Sequence, residues 1–277
     1  MSAIDAAFER CRQEGRAAFI PFLMAGDPDL RTTGRLMEAL AAAGADLVEL
    51  GVPFSDPVAD GLVNQAAANR ALASGTRLAA VLELVARERA RLDLPVVLFT
   101  YFNPVHSRGV ERFAEQAASS GVDGVLCVDL PPEEASRDLL PALRQRGVDA
   151  IFLLAPTSTR ERVARVAEAS SGFVYYVSRT GVTGVRDRLP DELVDDVRRL
   201  RRRLDLPLAV GFGISTPAQV AEVGRIADGV VVGSALVRLV AEGGRDADLP
   251  RRVEERAREL VAGLRDGRGR GRRLFKR

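Results

Sequence analysis

Short apolar segments alternate with amphipathic helical segments along the whole chain, and this alternation limits the possible folds more than any other feature. Eight strands are predicted, at residues 17–24, 47–51, 95–100, 122–128, 150–154, 173–177, 208–211 and 229–232. Each is followed by a stretch of helical periodicity. Eight such units predict an α/β fold, a single closed (β/α)8 TIM barrel. An open doubly wound sheet is the alternative, but no Gly-x-Gly-x-x-Gly follows the first strand.

The two ends of the chain lie outside the eight units. The first 15 residues form an amphipathic pattern that predicts one extra N-terminal helix and lacks the apolar centre of a signal peptide. The stretch 265–277 is basic and rich in glycine, so we expect a disordered, solvated tail; contact of this tail with nucleic acid is the less favoured alternative. The expected organisation is therefore one barrel domain over residues 1–264 and a tail over 265–277.

Composition excludes several kinds of chemistry. The single histidine is His106 and the single lysine, Lys276, lies in the predicted tail. A Schiff-base lysine, a histidine-based triad with a nucleophile elbow and a histidine or cysteine metal site therefore lack their residues. Carboxylates, hydroxyls and backbone amides remain for catalysis, and no metal is expected.

Cysteine usage and hydropathy indicate the compartment. Cys11 and Cys127 do not form a disulfide framework, which favours a reducing cytoplasm. No apolar run reaches the roughly 18 residues of a membrane span.

Two acids flank the end of the second strand. Glu49 interrupts a buried apolar run, where an ionised carboxylate costs several kcal/mol unless it is paired or protonated. Asp60 lies in the following loop, which Pro53 and Pro57 stiffen. Active-site groups of such barrels lie at these strand ends. A structural ion pair for Glu49 and a helix N-cap role for Asp60 are the alternatives.

Glycine-containing loops after the seventh and eighth strands form a second signal. Gly213 follows strand seven, and Gly233 and Ser234 follow strand eight, each just before a helix. Free amides at helix N-termini bind anions, and barrels often hold phosphate between these two loops. Thr183 and Gly184, after strand six, could add amides and a lid. The residues thus predict a phosphate-anchored substrate facing two acids, or else ordinary strand-end turns.

Several motifs together resemble the tryptophan synthase alpha subunit family over residues 19–239. They are LVELGVPFSDPVADG, FIPFLMAGDPD, TYFNPV, VDGVLCVDLPPEE, YYVSRTGVTG, GFGIS and VVVGSALV, at matching order and spacing. The resemblance implies a lyase of tryptophan biosynthesis. Such a lyase cleaves indole-3-glycerol phosphate to indole and glyceraldehyde 3-phosphate without a cofactor of its own.

The resemblance also implies residue roles. Glu49 would be the general acid–base, Asp60 would bind the indole N–H, and Tyr175 matches an active-site tyrosine near Glu49. The implied indole pocket and lid comprise Phe22, Leu126, Leu153, Thr183 and Phe212. The implied phosphate site comprises Gly184, Gly213, Gly233 and Ser234.

The family works as a complex, so the resemblance implies a beta subunit that contains pyridoxal phosphate and receives the indole in an α2β2 heterotetramer. Pro53 and Asp56 match the segment that meets this partner. Leu62 and Asn64 depart from the family pattern on the same side, which leaves the details of this interface open.

Two other functions stay open at this point. One is a stand-alone lyase that releases free indole, and the other is a catalytically silent barrel that only activates its partner. Intact acids and phosphate loops argue against the silent barrel. Another phosphate-binding barrel, such as an epimerase or a synthase, would normally need the metal ligands or lysines that are missing.

Overall fold

Eight parallel strands close into a barrel in the computed structural model. The structure describes residues 1–177, 191–211 and 213–266, and for residue 266 only the backbone. Each strand pairs with its neighbours in the sequence, and β8 pairs with β1. The strands are β1 Ala18–Met24, β2 Val48–Gly51, β3 Val96–Thr100, β4 Gly124–Cys127, β5 Asp149–Leu154, β6 Val174–Val177, β7 Leu208–Gly211 and β8 Gly229–Val232. The predicted (β/α)8 barrel is confirmed.

Helices surround the strands, because their apolar faces need a sheet to cover them. They are α1 Ala3–Gln13, α2 Leu30–Ala43, α3 Leu62–Ala73, α4 Leu78–Arg89, α5 Phe102–Arg108, α6 Val110–Ser119, α7 Pro132–Ala135, α8 Leu139–Gln145, α9 Arg160–Ala169, α10 Asp191–Arg201, α11 Pro217–Gly224, α12 Ser234–Gly243 and α13 Leu249–Asp266. The short helix α5 was not predicted, because its sequence FNPVHSR carries a proline and little apolar periodicity.

The extra N-terminal helix closes the lower end of the barrel. Ser2 and Asp5 form a capping box that starts α1. Its buried side chains, among them Ile4 and Phe8, join the apolar cluster inside the barrel, and the Phe8 and Phe173 rings lie 5.5 Å apart. The opposite end, where the strands finish, is left for the loops.

Polar side chains link neighbouring strands in pairs at the lower end of the barrel. Each accepts a hydrogen bond from a backbone N–H at the start of an odd-numbered strand: Asp46 from Phe19, Asp123 from Val96, Ser171 from Ala150 and Asp228 from Leu208. The three aspartates also pair with Arg16, Arg89 and Arg201. The same kind of contact thus supports four of the eight strand pairs: β1–β2, β3–β4, β5–β6 and β7–β8.

The predicted tail begins inside the last helix. Helix α13 ends at Asp266, so residues 265 and 266 are helical, and 267–277 of the predicted tail lie outside the described residues. The domain boundary stays a prediction. None of the helices in the described part of the chain is long and apolar enough to cross a membrane.

Candidate active site

Glu49 lies inside the barrel as the second residue of β2. Its Cα is level with Phe22 on β1 and Val97 on β3, and only 1% of the residue is exposed. Its Oε1 has no hydrogen-bond partner among the described residues, so the alternative of a structural ion pair is not found there. Burial raises the pKa of Glu49 to about 8. Glu49 is therefore mostly protonated at neutral pH and able to act as an acid.

Tyr175 reaches the same space from β6. Its Cα is level with Leu153, and its hydroxyl lies against Gly211, where an added Cβ would come within 2.1 Å of the oxygen. Burial raises the pKa of Tyr175 well above 10, and the charges of Glu49 and Asp60 add to the rise. The three side chains therefore share one buried electrostatic environment.

Tyr101, the residue that follows β3, holds the side chain of Asp60 near this space. The Tyr101 hydroxyl donates a hydrogen bond to Asp60 Oδ2 over 3.0 Å. Gly61, not Asp60, is the N-cap residue of α3, so the capping alternative does not hold. Burial raises the pKa of Asp60, whereas hydrogen bonding from Tyr101 and Asn64 opposes the rise.

Apolar side chains from neighbouring strands line the space between the acids. Phe22 packs edge-to-face on Phe99, with ring centroids 5.4 Å apart, and close to Gly51. Leu126 and Leu153 belong to the same interior cluster as Tyr175. The structure thus brings together the predicted pocket residues that it describes.

Sequence reasoning missed three residues here: Phe99, Tyr101 and Asn64. The alternation along β3 places Val97, Phe99 and Tyr101 on one side, and Val97 is level with Glu49. That register, once known, would have identified the two aromatic residues. Asn64 was noted only as a departure from the family pattern, yet its Oδ1 is buried without a hydrogen-bond partner in the described chain.

The predicted phosphate loops lie at the same end of the barrel. Gly213 has a φ of +48°, which favours glycine, and Gly233 is the N-cap of α12. Within the described residues no side chain caps this helix, so its first amides are available to an anion. Gly233 also lies close to Phe22. Thr183, Gly184 and Phe212 lie outside the described residues.

The loop between β2 and α3 carries the predicted partner contacts. Pro53 is buried, whereas Asp56 is exposed. Two apolar side chains nearby are unusually open, with Val58 76% and Leu62 83% exposed. This loop therefore joins the buried acids to an exposed surface.

Comparison with known proteins identifies the family. The model of the family described as "Tryptophan synthase alpha chain" matches residues 8–267. The chain belongs to the tryptophan synthase alpha chain family. The resemblance found in the motifs is thereby confirmed.

Relatives and solved structures of this family match over most of the chain. A tryptophan synthase alpha chain from Citrifermentans bemidjiense is 56% identical over 238 residues, 86% of this chain and 89% of that protein. One from Geotalea uraniireducens is 49% identical over 267 residues, 96% of this chain and 98% of that protein. The crystal structure of the alpha subunit from Legionella pneumophila superposes with a TM-score of 0.89 at 35% identity, covering 96% and 99% of the two chains.

Family membership settles the general activity. The chain is a lyase of tryptophan biosynthesis, and the family's known reaction is cleavage of indole-3-glycerol phosphate to indole and glyceraldehyde 3-phosphate. The family's alpha chain needs no cofactor of its own, and membership implies a beta-subunit partner.

Proposed function

We propose that Glu49 is the general acid–base of the cleavage and that Asp60 is the group that holds the indole nitrogen. The observation that carries this proposal is the buried carboxyl of Glu49. It has a pKa of about 8 and an oxygen without a hydrogen-bond partner among the described residues. A carboxyl of this kind can both give and take a proton near neutral pH.

The proton transfers balance around a single carboxyl. Protonated Glu49 gives its proton to indole C3, which leaves positive charge on the indole nitrogen. The resulting carboxylate takes the proton of the neighbouring glycerol hydroxyl, whose oxygen becomes the aldehyde carbonyl. The carbon–carbon bond breaks and its electron pair returns to the indole ring, so no external electron sink is needed. An ionised Asp60 stabilises the positive nitrogen before the bond breaks.

The remaining site residues bind and orient the substrate. Phe22, Leu126 and Leu153 form an apolar slot for the flat indole. Of the residues outside the described ranges, we assign Phe212 to binding the indole and Thr183 to orienting Asp60. Gly184, Gly213, Gly233 and Ser234 bind the phosphate, with support from the uncapped start of α12. Tyr175 packs beside Glu49 and helps to keep water out.

The chain's partner is the beta subunit, in an α2β2 heterotetramer, with pyridoxal phosphate in the partner. Pro53 and Asp56 contact it through the loop between β2 and α3. The exposed Val58 on this loop and the exposed Leu62 at the start of α3 support that placement, because an apolar surface favours a protein contact. We place the complex in the cytoplasm.

Replacement of Glu49 tests the proposal. We expect Glu49→Gln to lower indole release from indole-3-glycerol phosphate by at least ~10²–10⁴-fold, because the amide cannot transfer the proton. Substrate binding, measured by calorimetry, should stay close to that of the unmodified chain.

Glu88→Gln is the matched control, because Glu88 is also a buried glutamate but lies on α4, outside the barrel. It should keep near-normal turnover. Near-normal turnover of Glu49→Gln would refute the assignment.

A further inference from the structure

Tyr101 occupies the junction between β3 and α5, at the edge of the space between the two acids. Only 3% of the residue is exposed, although it follows the last residue of its strand. Its ring packs on Phe54 of the β2–α3 loop, with centroids 5.1 Å apart and the planes tilted by 34°. The side chain therefore connects the barrel wall with the loop that carries Asp60.

The hydroxyl of Tyr101 makes two hydrogen bonds to that loop. It donates to Asp60 Oδ2 over 3.0 Å and accepts from the backbone N–H of Ala59 over 3.0 Å. Because the accepted bond polarises the hydroxyl, it makes the hydroxyl a better donor to the carboxylate. One oxygen atom thus fixes both the backbone before Asp60 and the carboxylate itself.

A purely structural role for this hydroxyl would only require some acceptor. The acceptor here is instead the carboxylate proposed above to hold the indole nitrogen, and a bond to a charged group is stronger than one to a neutral group. On the other side of Asp60, the Asn64 side chain also favours the ionised form. The Asp60 carboxylate is therefore held from two places in the fold, the β3–α5 junction and α3.

We propose that Tyr101 is a positioning residue that keeps Asp60 ionised and aimed at the indole nitrogen. The inference rests on the role proposed above for Asp60. It assigns Tyr101 no contact with the reacting atoms. Since the same hydroxyl holds Ala59, a movement of the partner-facing loop would be transmitted to the carboxylate.

The consequence of removing the hydroxyl has a definite sign. Its donated bond favours the charged form of Asp60, so its loss raises the pKa of Asp60. The cleavage requires ionised Asp60, so the acid limb of the pH profile of kcat/KM moves to higher pH. A role limited to packing would lower stability without moving that limb.

The test compares Tyr101→Phe with Tyr176→Phe over the pH range, with the full chain assayed alone and with the beta subunit. Tyr176 is a matched control because its hydroxyl also donates to a carboxylate, Asp196 Oδ2 at 2.6 Å, but outside the barrel. We expect Tyr101→Phe to lower kcat/KM by about tenfold or more near neutral pH and to shift the acid limb upward. Tyr176→Phe should keep the profile of the unmodified chain. An unchanged acid limb in Tyr101→Phe would overturn the inference.

A direct measurement and a second variant keep the result independent of the proposed mechanism. Carbon-13 NMR of aspartate-labelled protein, assigned with Asp60→Asn, reports the pKa of Asp60 without any turnover. An unchanged pKa in Tyr101→Phe rejects the positioning role. If Asp60→Asn retains full activity, the proposed function of Asp60 fails instead. If Asp60→Asn loses activity while Tyr101→Phe keeps both the pKa of Asp60 and the acid limb of the pH profile, only the inference about Tyr101 is rejected.

Discussion

The buried carboxyl of Glu49 makes the stability of the fold depend on pH. Its carboxyl is buried in the barrel, and burial raises its pKa to about 8 from an ordinary value of 4.5. Between these two values the native state binds more protons than the unfolded state does. The contribution of Glu49 to stability is thus greatest at low pH and is lost as the pH rises toward 8.

A substitution that removes the charge should therefore stabilise the chain at high pH. We expect Glu49→Gln to raise the free energy of unfolding by ~2–4 kcal/mol at pH 8, at about 1.4 kcal/mol for each unit of pKa difference. The gain should be small near pH 5. Urea unfolding followed by circular dichroism at both pH values measures it. An equal effect at the two pH values would contradict the buried, uncompensated charge.

Side chains just before the even-numbered strands help to set the pairing of strands at the lower end of the barrel. Asp46, just before β2, accepts the Phe19 N–H of β1 over 2.8 Å and binds Arg16 through both carboxylate oxygens. The acceptor of this hydrogen bond is a side chain 27 residues away in the chain, so the bond adds to the backbone hydrogen bonds between the two strands. Such contacts fix which residues stand level across the sheet, and so fix where Glu49 and Phe22 meet.

Removal of the Asp46 carboxylate should therefore weaken the whole barrel. We expect Asp46→Ala to lower the free energy of unfolding by about 2–4 kcal/mol, because it leaves the buried Phe19 N–H without its side-chain acceptor and takes the bidentate partner from the largely buried Arg16 guanidinium. Chemical denaturation measures the loss. Asp195→Ala is the control, because its pair with Arg198 is long, at 3.7 Å, and exposed. A similar loss in both variants would mean that the contact itself contributes nothing.

The loop between β2 and α3 connects the proposed active site with the exposed surface of the molecule. Its last residues include Asp60, which Tyr101 holds, whereas Asp56 and Val58 within the loop and Leu62 at the start of α3 are exposed. Binding of a partner at the exposed residues would affect Asp60 through a connection only a few residues long. The proposed α2β2 assembly and the proposed chemistry are thus linked through one segment.

The assembly can be tested by mass. Sedimentation of the chain mixed with a beta subunit should show a heterotetramer, and Asp56→Lys should shift the mixture toward free chains. Asp195→Lys makes the same charge change on α10 and should leave the assembly intact. A heterotetramer equally stable in both variants would remove Asp56 from the interface.

Local patterns were enough to predict the fold but not the contacts within the site. The eight strands were found within two residues of their observed ends, because the period of apolar residues follows directly from backbone geometry. The partners of Asp60 were not found. Tyr101 is 41 residues away in the chain, and only the barrel's register brings the two side chains together.

The barrel, the acid in its second strand and, through the motifs, the family could all be read from the order of residues along the chain. These depend on neighbours in the chain, on hydropathy and on residue order. Only the tertiary structure decided that Glu49 has an oxygen without a hydrogen-bond partner among the described residues, that Gly61 rather than Asp60 caps α3, and that Tyr101 holds Asp60. Burial and hydrogen bonding depend on residues far apart in the chain, and closure of the barrel alone sets their distances.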